Sequence, residues 1–407
     1  MAHYSVSLSS RHGADKKDKE RSASSLLVPI RGAARVVNNL IPFSKKGAVV
    51  LIRGRPAIEP CHSSASSNAA LTAVRFRGQI EPGDDEPGRY FLLVSHGDPW
   101  AQRTLIAHGL AELGQDVGIV CSDGFWPLTK SLPAIATQGW KFSKRKELTP
   151  SLFKSCMPEL QQAVKRSGSL CMHQLYAATD PEVTGRVTIP VLWDAAVGRV
   201  VNNDSGEIVR ILHQDLRRLG NKSVDLSPPA LRPDMDRIRP LVYCVNAGVY
   251  KCGYAITREG HERALRDTFG ALEAFEKLLG ERKFLAGDDV TEVDVLLFPT
   301  LLRFDSCFHT AFRCNRKRIR DFPNISRYLV DLYGLPAFKR TVHMPTYAVV
   351  HFIEARWQGR VLGNLCRLLE AAIDIVTGAA LPGASWWRRA VARAASLPAR
   401  ILSRLFK

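Results

Sequence analysis

The residues best placed to do chemistry gather around one turn. Val94-Ser95-His96-Gly97-Asp98-Pro99-Trp100 follows the apolar run Tyr90 to Val94 and precedes a helical pattern carrying Leu105, Ile106, Leu110 and Leu113. A strand ending there and a helix opening at Pro99 leave unsatisfied amides and the positive end of the helix dipole at the turn, a place that stabilises an anion. A cysteine so placed has a depressed pKa and attacks as a thiolate. Here the residue is Asp98. A carboxylate cannot form a disulfide, but it suits an N-cap that accepts from first-turn amides. Ser95 offers a hydroxyl at the strand end. Cys121 offers a thiol at the end of the next apolar run, where a buried core role is expected.

The pattern predicts a strand at Tyr90 to Val94, a helix over Pro99 to Leu113 and a strand at Val117 to Cys121. An insertion to about Ser167 and a helix follow, then strands at Val187 to Trp193 and Arg199 to Val201 and a helix over Asp204 to His213. After the linker Asp225 to Pro233, apolar residues at three and four spacing predict helices over Asp234 to Tyr243, Arg258 to Leu279, Glu292 to Phe308 and Ile325 to Tyr333. Thr291-Glu292-Val293-Asp294 forms an acidic capping box, which gives Asp294 a structural task. The fold class is therefore α/β followed by all-α, with extensions at both ends.

The turn, together with Gly139-Trp140-Lys141-Phe142, Gly185-Arg186-Val187-Thr188-Ile189-Pro190-Val191-Leu192-Trp193-Asp194 and Val201-Asn202-Asn203-Asp204-Ser205, resembles the glutathionyl-hydroquinone reductases, the xi class of glutathione transferases. Val245-Asn246-Ala247-Gly248-Val249-Tyr250-Lys251, Phe284-Leu285-Ala286-Gly287, Leu302-Arg303-Phe304-Asp305 and Arg320-Asp321-Phe322-Pro323-Asn324 continue it in order, so the likeness runs from about Gly88 to Val342. It implies a thioredoxin-like, glutathione-binding domain over 86–225 and an all-helical transferase domain over 232–350. Residues 1–85 then form a basic, largely disordered extension, and 351–407 a basic amphipathic helical tail.

The resemblance also implies roles. The family's motif at the turn reads cysteine, proline, tryptophan, alanine, histidine, arginine, so Asp98 stands at the nucleophile position. Of three family tyrosines around the hydroquinone pocket, one matches Tyr250 and the others fall on Phe308 and His351. Trp140, the Arg186, Val187, Thr188 and Ile189 backbone, and Asp204 with Ser205 match glutathione contacts, the family's glutamate being shortened to Asp204. The Ile189–Pro190 bond is expected to be cis. A homodimer follows by analogy only. Two readings stand: a transferase-like protein that binds glutathione weakly and lacks cysteine-based reductase chemistry, and a non-catalytic scaffold that retains the fold.

The net charge of +18 is concentrated at the ends. Residues 1–85 carry 13 basic against 7 acidic side chains and residues 351–407 carry 9 against 3, so two thirds of the excess lies there. Nine cysteines without close pairing, and no visible secretory signal, fit a reduced, cytoplasmic setting and no metal site. Early acids, Asp15, Asp18 and Glu20, argue against an organellar import peptide. No nucleic-acid motif accompanies the charge. In 386–407, Trp386, Trp387, Val391, Ile401, Leu402, Leu405 and Phe406 alternate with Arg388, Arg389, Arg393, Arg400, Arg404 and Lys407, a pattern for an anionic membrane surface or for docking on protein. Each basic residue near an anionic leaflet contributes about 1 kcal/mol. The segment is expected to become helical on anionic vesicles, with blue-shifted tryptophan emission and binding weakened by salt. A full chain that ignores such vesicles and melts markedly lower without 383–407 would make the tail a structural clamp instead.

Overall fold

The structure is a computed structural model, and it describes residues 49–52, 55–58, 75–122, 125–126, 139–142, 170–221 and 223–343. Strands β1 (Val49–Ile52) and β2 (Arg55–Ile58) pair as a hairpin. Both lie in the stretch expected to be largely disordered, and they correct that expectation locally. The run Val49-Val50-Leu51-Ile52 is dense in β-branched residues, a strand signal that the surrounding Ser and Lys obscured. Residues 75–85 are also ordered: the Phe76 N–H donates to Asn203 Oδ1 at 3.0 Å, and Ile80 joins the core. His351 and the 386–407 segment fall outside the described residues.

The central sheet is built on β3 (Tyr90–Val94), buried along its whole length. Helix α1 (Pro99–Leu110) returns the chain so that β4 (Val117–Cys121) pairs parallel to β3. In the insertion, β5 (Phe125–Trp126), β6 (Gly139–Phe142) and β7 (Leu170–Cys171) form a small separate sheet. Helix α2 (Met172–Thr179) leads to β8 (Gly185–Arg186), which pairs with β1. Strands β9 (Val191–Asp194) and β10 (Arg199–Asn202) complete the order β10-β9-β3-β4, and α3 (Ser205–His213) closes the α/β half. The strand expected over Val187 to Trp193 is shorter because Pro190, which follows a cis bond, lacks the N–H that a ladder needs.

The helical half contains α4 (Arg232–Tyr254), α5 (Arg258–Glu281) and α6 (Glu292–Arg303). Helix α4 runs well past Tyr243. Its glycines are contacts rather than breaks: a Cβ on Gly248 would meet Thr268 Oγ1 at 2.2 Å, and one on Gly253 the Phe312 ring at 2.7 Å. Beyond Arg303 the expected α-helix widens into a π turn, Phe304–Phe308, which hands on to the single turn His309–Ala311. Helices α7 (Pro323–Gly334) and α8 (Pro336–Lys339) complete the described chain. The capping box forms as expected, with Asp294 accepting from the Thr291 N–H at 2.8 Å, the Leu285 N–H at 3.0 Å and the Tyr328 hydroxyl at 2.9 Å.

Buried polar contacts join the halves. Fully buried Glu292, at the start of α6, accepts from Arg210 of α3 at 3.1 Å and from Arg239 of α4 at 2.6 Å. Gln102 of α1 donates to Thr341 Oγ1 at 2.9 Å and accepts from Arg303. Among the described residues no helix is long and apolar enough to cross a membrane.

Three buried histidines of the α/β half set a pH dependence. Burial holds His108, His173 and His213 below the ordinary 6.5, with His173 pushed down to about 4. The folded pKa lies below the unfolded one, so between about 4 and 6.5 the unfolded chain binds the extra proton at His173. Stability is expected to be complete above that window and to fall as the pH drops through it, on the order of 1 kcal/mol per pH unit for one imidazole. Urea titrations across this range should show a shallower slope for His173→Leu. An unchanged slope would remove His173 from the account.

Candidate functional site

The site begins at the N-terminus of α1. Asp98 has extended backbone angles and caps the helix, its Oδ1 accepting from the Ala101 N–H at 2.8 Å. The Asp98 N–H donates to the Ser95 carbonyl at 3.2 Å, and the Gly97 N–H to Ser95 Oγ at 3.4 Å. Ser95 is buried, and its hydroxyl shapes the turn. The neighbouring His96 ring lies tilted against His343 with centroids 3.8 Å apart. Cys121 is a buried thiol at the end of β4, as expected.

One residue beyond the proline, Trp100 faces Tyr250 at 6.4 Å between ring centroids. Tyr250 packs edge-on against Phe308 at 5.6 Å and Phe312 at 5.4 Å, and stacks on Tyr254 at 6.1 Å. The fold thus brings the first turn of α1, Tyr250 on α4 and Phe308 on the π turn into one aromatic wall. Phe308 is fully buried, whereas Tyr250 is only partly so. The widened turn is what delivers Phe308, and π turns recur at functional sites.

Sequence reasoning gave no role to Arg103, which proves central. Its guanidinium lies 4.0 Å over the Trp100 ring and donates through Nη1 to Ser205 Oγ at 3.1 Å. Burial pushes its pKa down to about 10, while the charges of Asp204 and Asp98 act in the opposite direction. Its Nε is buried with no hydrogen-bond partner among the described residues. The available signal was an arginine within a run of otherwise buried helix positions, Ala101 to His108.

The remaining sequence-derived site residues occupy the edge of the α/β half. Asp204 caps α3, accepting from the Gly206 N–H at 2.9 Å and the Glu207 N–H at 3.1 Å, and pairs with Arg77 at 3.5 Å. Ser205 is buried and is the acceptor for Arg103. Thr188 is held by Tyr176, whose hydroxyl donates to the Thr188 carbonyl at 2.9 Å and accepts from its N–H at 3.3 Å. Val187 is partly buried, Ile189 is buried before the cis bond to Pro190, and Arg186 is exposed on β8. Trp140, on β6, is partly buried against the core. Arg103 and Ser205 join the Asp98 turn to the Asp204 cap.

Comparison with known proteins agrees with this architecture. A family model described as glutathione S-transferase, C-terminal domain, matches residues 258–330. Glutathionyl-hydroquinone reductase PcpF of Sphingobium chlorophenolicum is 36% identical over 280 residues, spanning 68% of this chain and 82% of that protein. A xi-class glutathione transferase from Natrialba magadii superposes with a TM-score of 0.63 at 31% identity, over 75% of this chain and 89% of its own. The glutathione-bound structure of YqjG, a glutathione transferase homolog from Escherichia coli K-12, does so with a TM-score of 0.56 at 29% identity, over 74% and 90%. The chain belongs to the glutathionyl-hydroquinone reductase family, the xi class of glutathione transferases.

Removing the Asp98 carboxylate takes away a helix cap. Asp98→Ala is expected to lower stability by about 0.5 to 2 kcal/mol, read as a shift of the urea midpoint at constant slope. An unchanged midpoint would mean that the carboxylate does not hold the helix in solution.

Proposed function

We propose that this protein binds glutathione or a glutathione conjugate on a xi-class scaffold and does not carry out cysteine-based reduction. The observation that carries this reading is the Asp98 carboxylate on the Ala101 amide at the mouth of α1. Reduction of a glutathionyl adduct through the protein requires a thiolate that takes the glutathione as a mixed disulfide, and a carboxylate cannot do so. An ionised Asp98 also occupies an amide that would otherwise stabilise a glutathione thiolate, and it repels that charge. Phe308 keeps an aromatic ring beside Tyr250 but offers no hydroxyl to a quinol. In this reading 86–225 supplies the glutathione cradle and the Trp100 edge of the aromatic wall, 232–350 supplies its Tyr250 and Phe308, and 1–85 and 351–407 are extensions.

Support for glutathione comes from Trp140, the Arg186–Ile189 strand end and the Asp204–Ser205 cap, and from a relative that was solved with glutathione bound. Asp204 would meet the γ-glutamyl amine with its outer carboxylate oxygen, Oδ2, since Oδ1 accepts from the helix amides. That oxygen already faces Arg77, so weak binding is expected.

Isothermal titration with glutathione tests the binding. Saturable binding that is lost in Asp204→Ala supports the reading, and no heat at millimolar glutathione overturns it in favour of a scaffold. Turnover of a glutathionyl-hydroquinone is expected to stay at the rate of free glutathione. Robust turnover in the Cys121→Ala protein would overturn the loss of reductase chemistry.

A further inference from the structure

The N-terminal extension reaches the α3 cap through one short segment. Residues 76–78 run along the outer edge of β10, where Arg77 bridges Asn202 antiparallel. The Gly78 N–H donates to the Val201 carbonyl at 2.9 Å and the Asn203 N–H to the Phe76 carbonyl at 3.3 Å. Gly78 lies so close that a Cβ there would meet the Val201 carbonyl oxygen at 2.8 Å. Phe76 packs edge-on against Tyr176 at 5.2 Å, and Tyr176 is the residue that holds Thr188.

This attachment fixes the Arg77 guanidinium. Its Nε faces Glu207 Oε1 at 3.4 Å, and its Nη1 donates to the Phe76 carbonyl at 3.1 Å and to Asn203 Oδ1 at 3.2 Å. Nη2 is thereby directed at Asp204 Oδ2, 3.5 Å away. The Asp204 carboxylate is divided between two tasks. Its Oδ1 accepts from the Gly206 and Glu207 N–H groups, so Oδ2 is the oxygen left for an external cation. A ligand ammonium arriving there meets a guanidinium already beside that oxygen. The Arg77 and Asp204 side chains are 37% and 44% exposed, so water screens the pair and a competing cation is weakened rather than shut out.

We propose that Arg77 is a specificity-determining residue, which occupies the cation position beside Asp204 and selects against ligands that place an α-amino group there. The inference rests on the glutathione reading and adds to it a preference in ligand chemistry. A γ-glutamyl ligand shares the Asp204 charge with Arg77, and its ammonium is repelled by the guanidinium. A ligand with the same α-carboxylate and no amine suffers neither loss. The carboxylate of both is attracted by Arg77 and by the N-terminus of α3.

The test is isothermal titration of the full chain with glutathione and with glutaryl-cysteinylglycine, the same peptide without its α-amino group. Wild-type protein is expected to bind the two within about fivefold of each other, the range that a screened surface pair allows. Arg77→Ala should bind glutathione about two- to fivefold tighter and the deaminated peptide no tighter, while Arg77→Lys, which keeps the charge, should stay near wild type. A purely structural effect of the substitution would move both peptides alike. Glutathione binding that Arg77→Ala leaves unchanged or weakens, or a gain shared by both peptides, overturns the proposal and leaves the glutathione reading standing. A strong wild-type preference for glutathione over the deaminated peptide overturns it as well, and that measurement needs no variant. No heat from either peptide in any of the three proteins overturns both readings.

Discussion

A guanidinium buried between two helix N-termini is the constraint around which the site is organised. Arg103 is stacked on Trp100 and hydrogen-bonded to Ser205, with the Asp98 and Asp204 carboxylates acting on its charge. Removing such an ion from water costs several kcal/mol unless opposite charge and hydrogen bonds offset it. The N-termini of α1 and α3 add partial positive charge in the same region. The site therefore requires anions, and its two acids stand at the two caps where anions gain most.

Asp98 supplies the negative charge that this turn requires without offering thiol chemistry. A cysteine thiolate at this position would bring one negative charge to the α1 amides near Arg103. A carboxylate brings the same charge and a stronger acceptor. A neutral residue there would leave Arg103 with less compensation in a buried setting. At Phe308 a packed apolar ring fills the π turn beside Tyr250.

What could be read from the sequence followed local physics. The Tyr90–Val94 strand, the Asp98 cap, the Thr291–Asp294 box and the amphipathic helices all carry their signal within a few residues. The β1–β2 hairpin was missed because a short β-branched run sat in a polar, basic stretch. Helix α4 runs past the expected end at Tyr243, and its Gly248 and Gly253 each admit a neighbour: Thr268 in one case, Phe312 in the other. Arg103 and Glu292 were not legible as organisers, because their partners lie 102 and 53 to 82 positions away in the chain.

The link between Arg103 and Glu292 runs through α1 and α6. Gln102 precedes Arg103 and binds both Thr341 and Arg303, the last residue of α6. Glu292 opens the same helix and gathers Arg210 from α3 and Arg239 from α4. Helix α6 is thereby tied at one end to the helix Asp204 caps and at the other to the helix Asp98 caps. The first turn of α1 and the Phe308 turn are thus fixed relative to one another by buried polar contacts rather than by apolar packing alone. Such contacts have directional geometry, so they hold the register of the two halves more narrowly than packing would. That accounts for how the aromatic wall, drawn from both halves, can keep a defined shape beside the Asp98 turn.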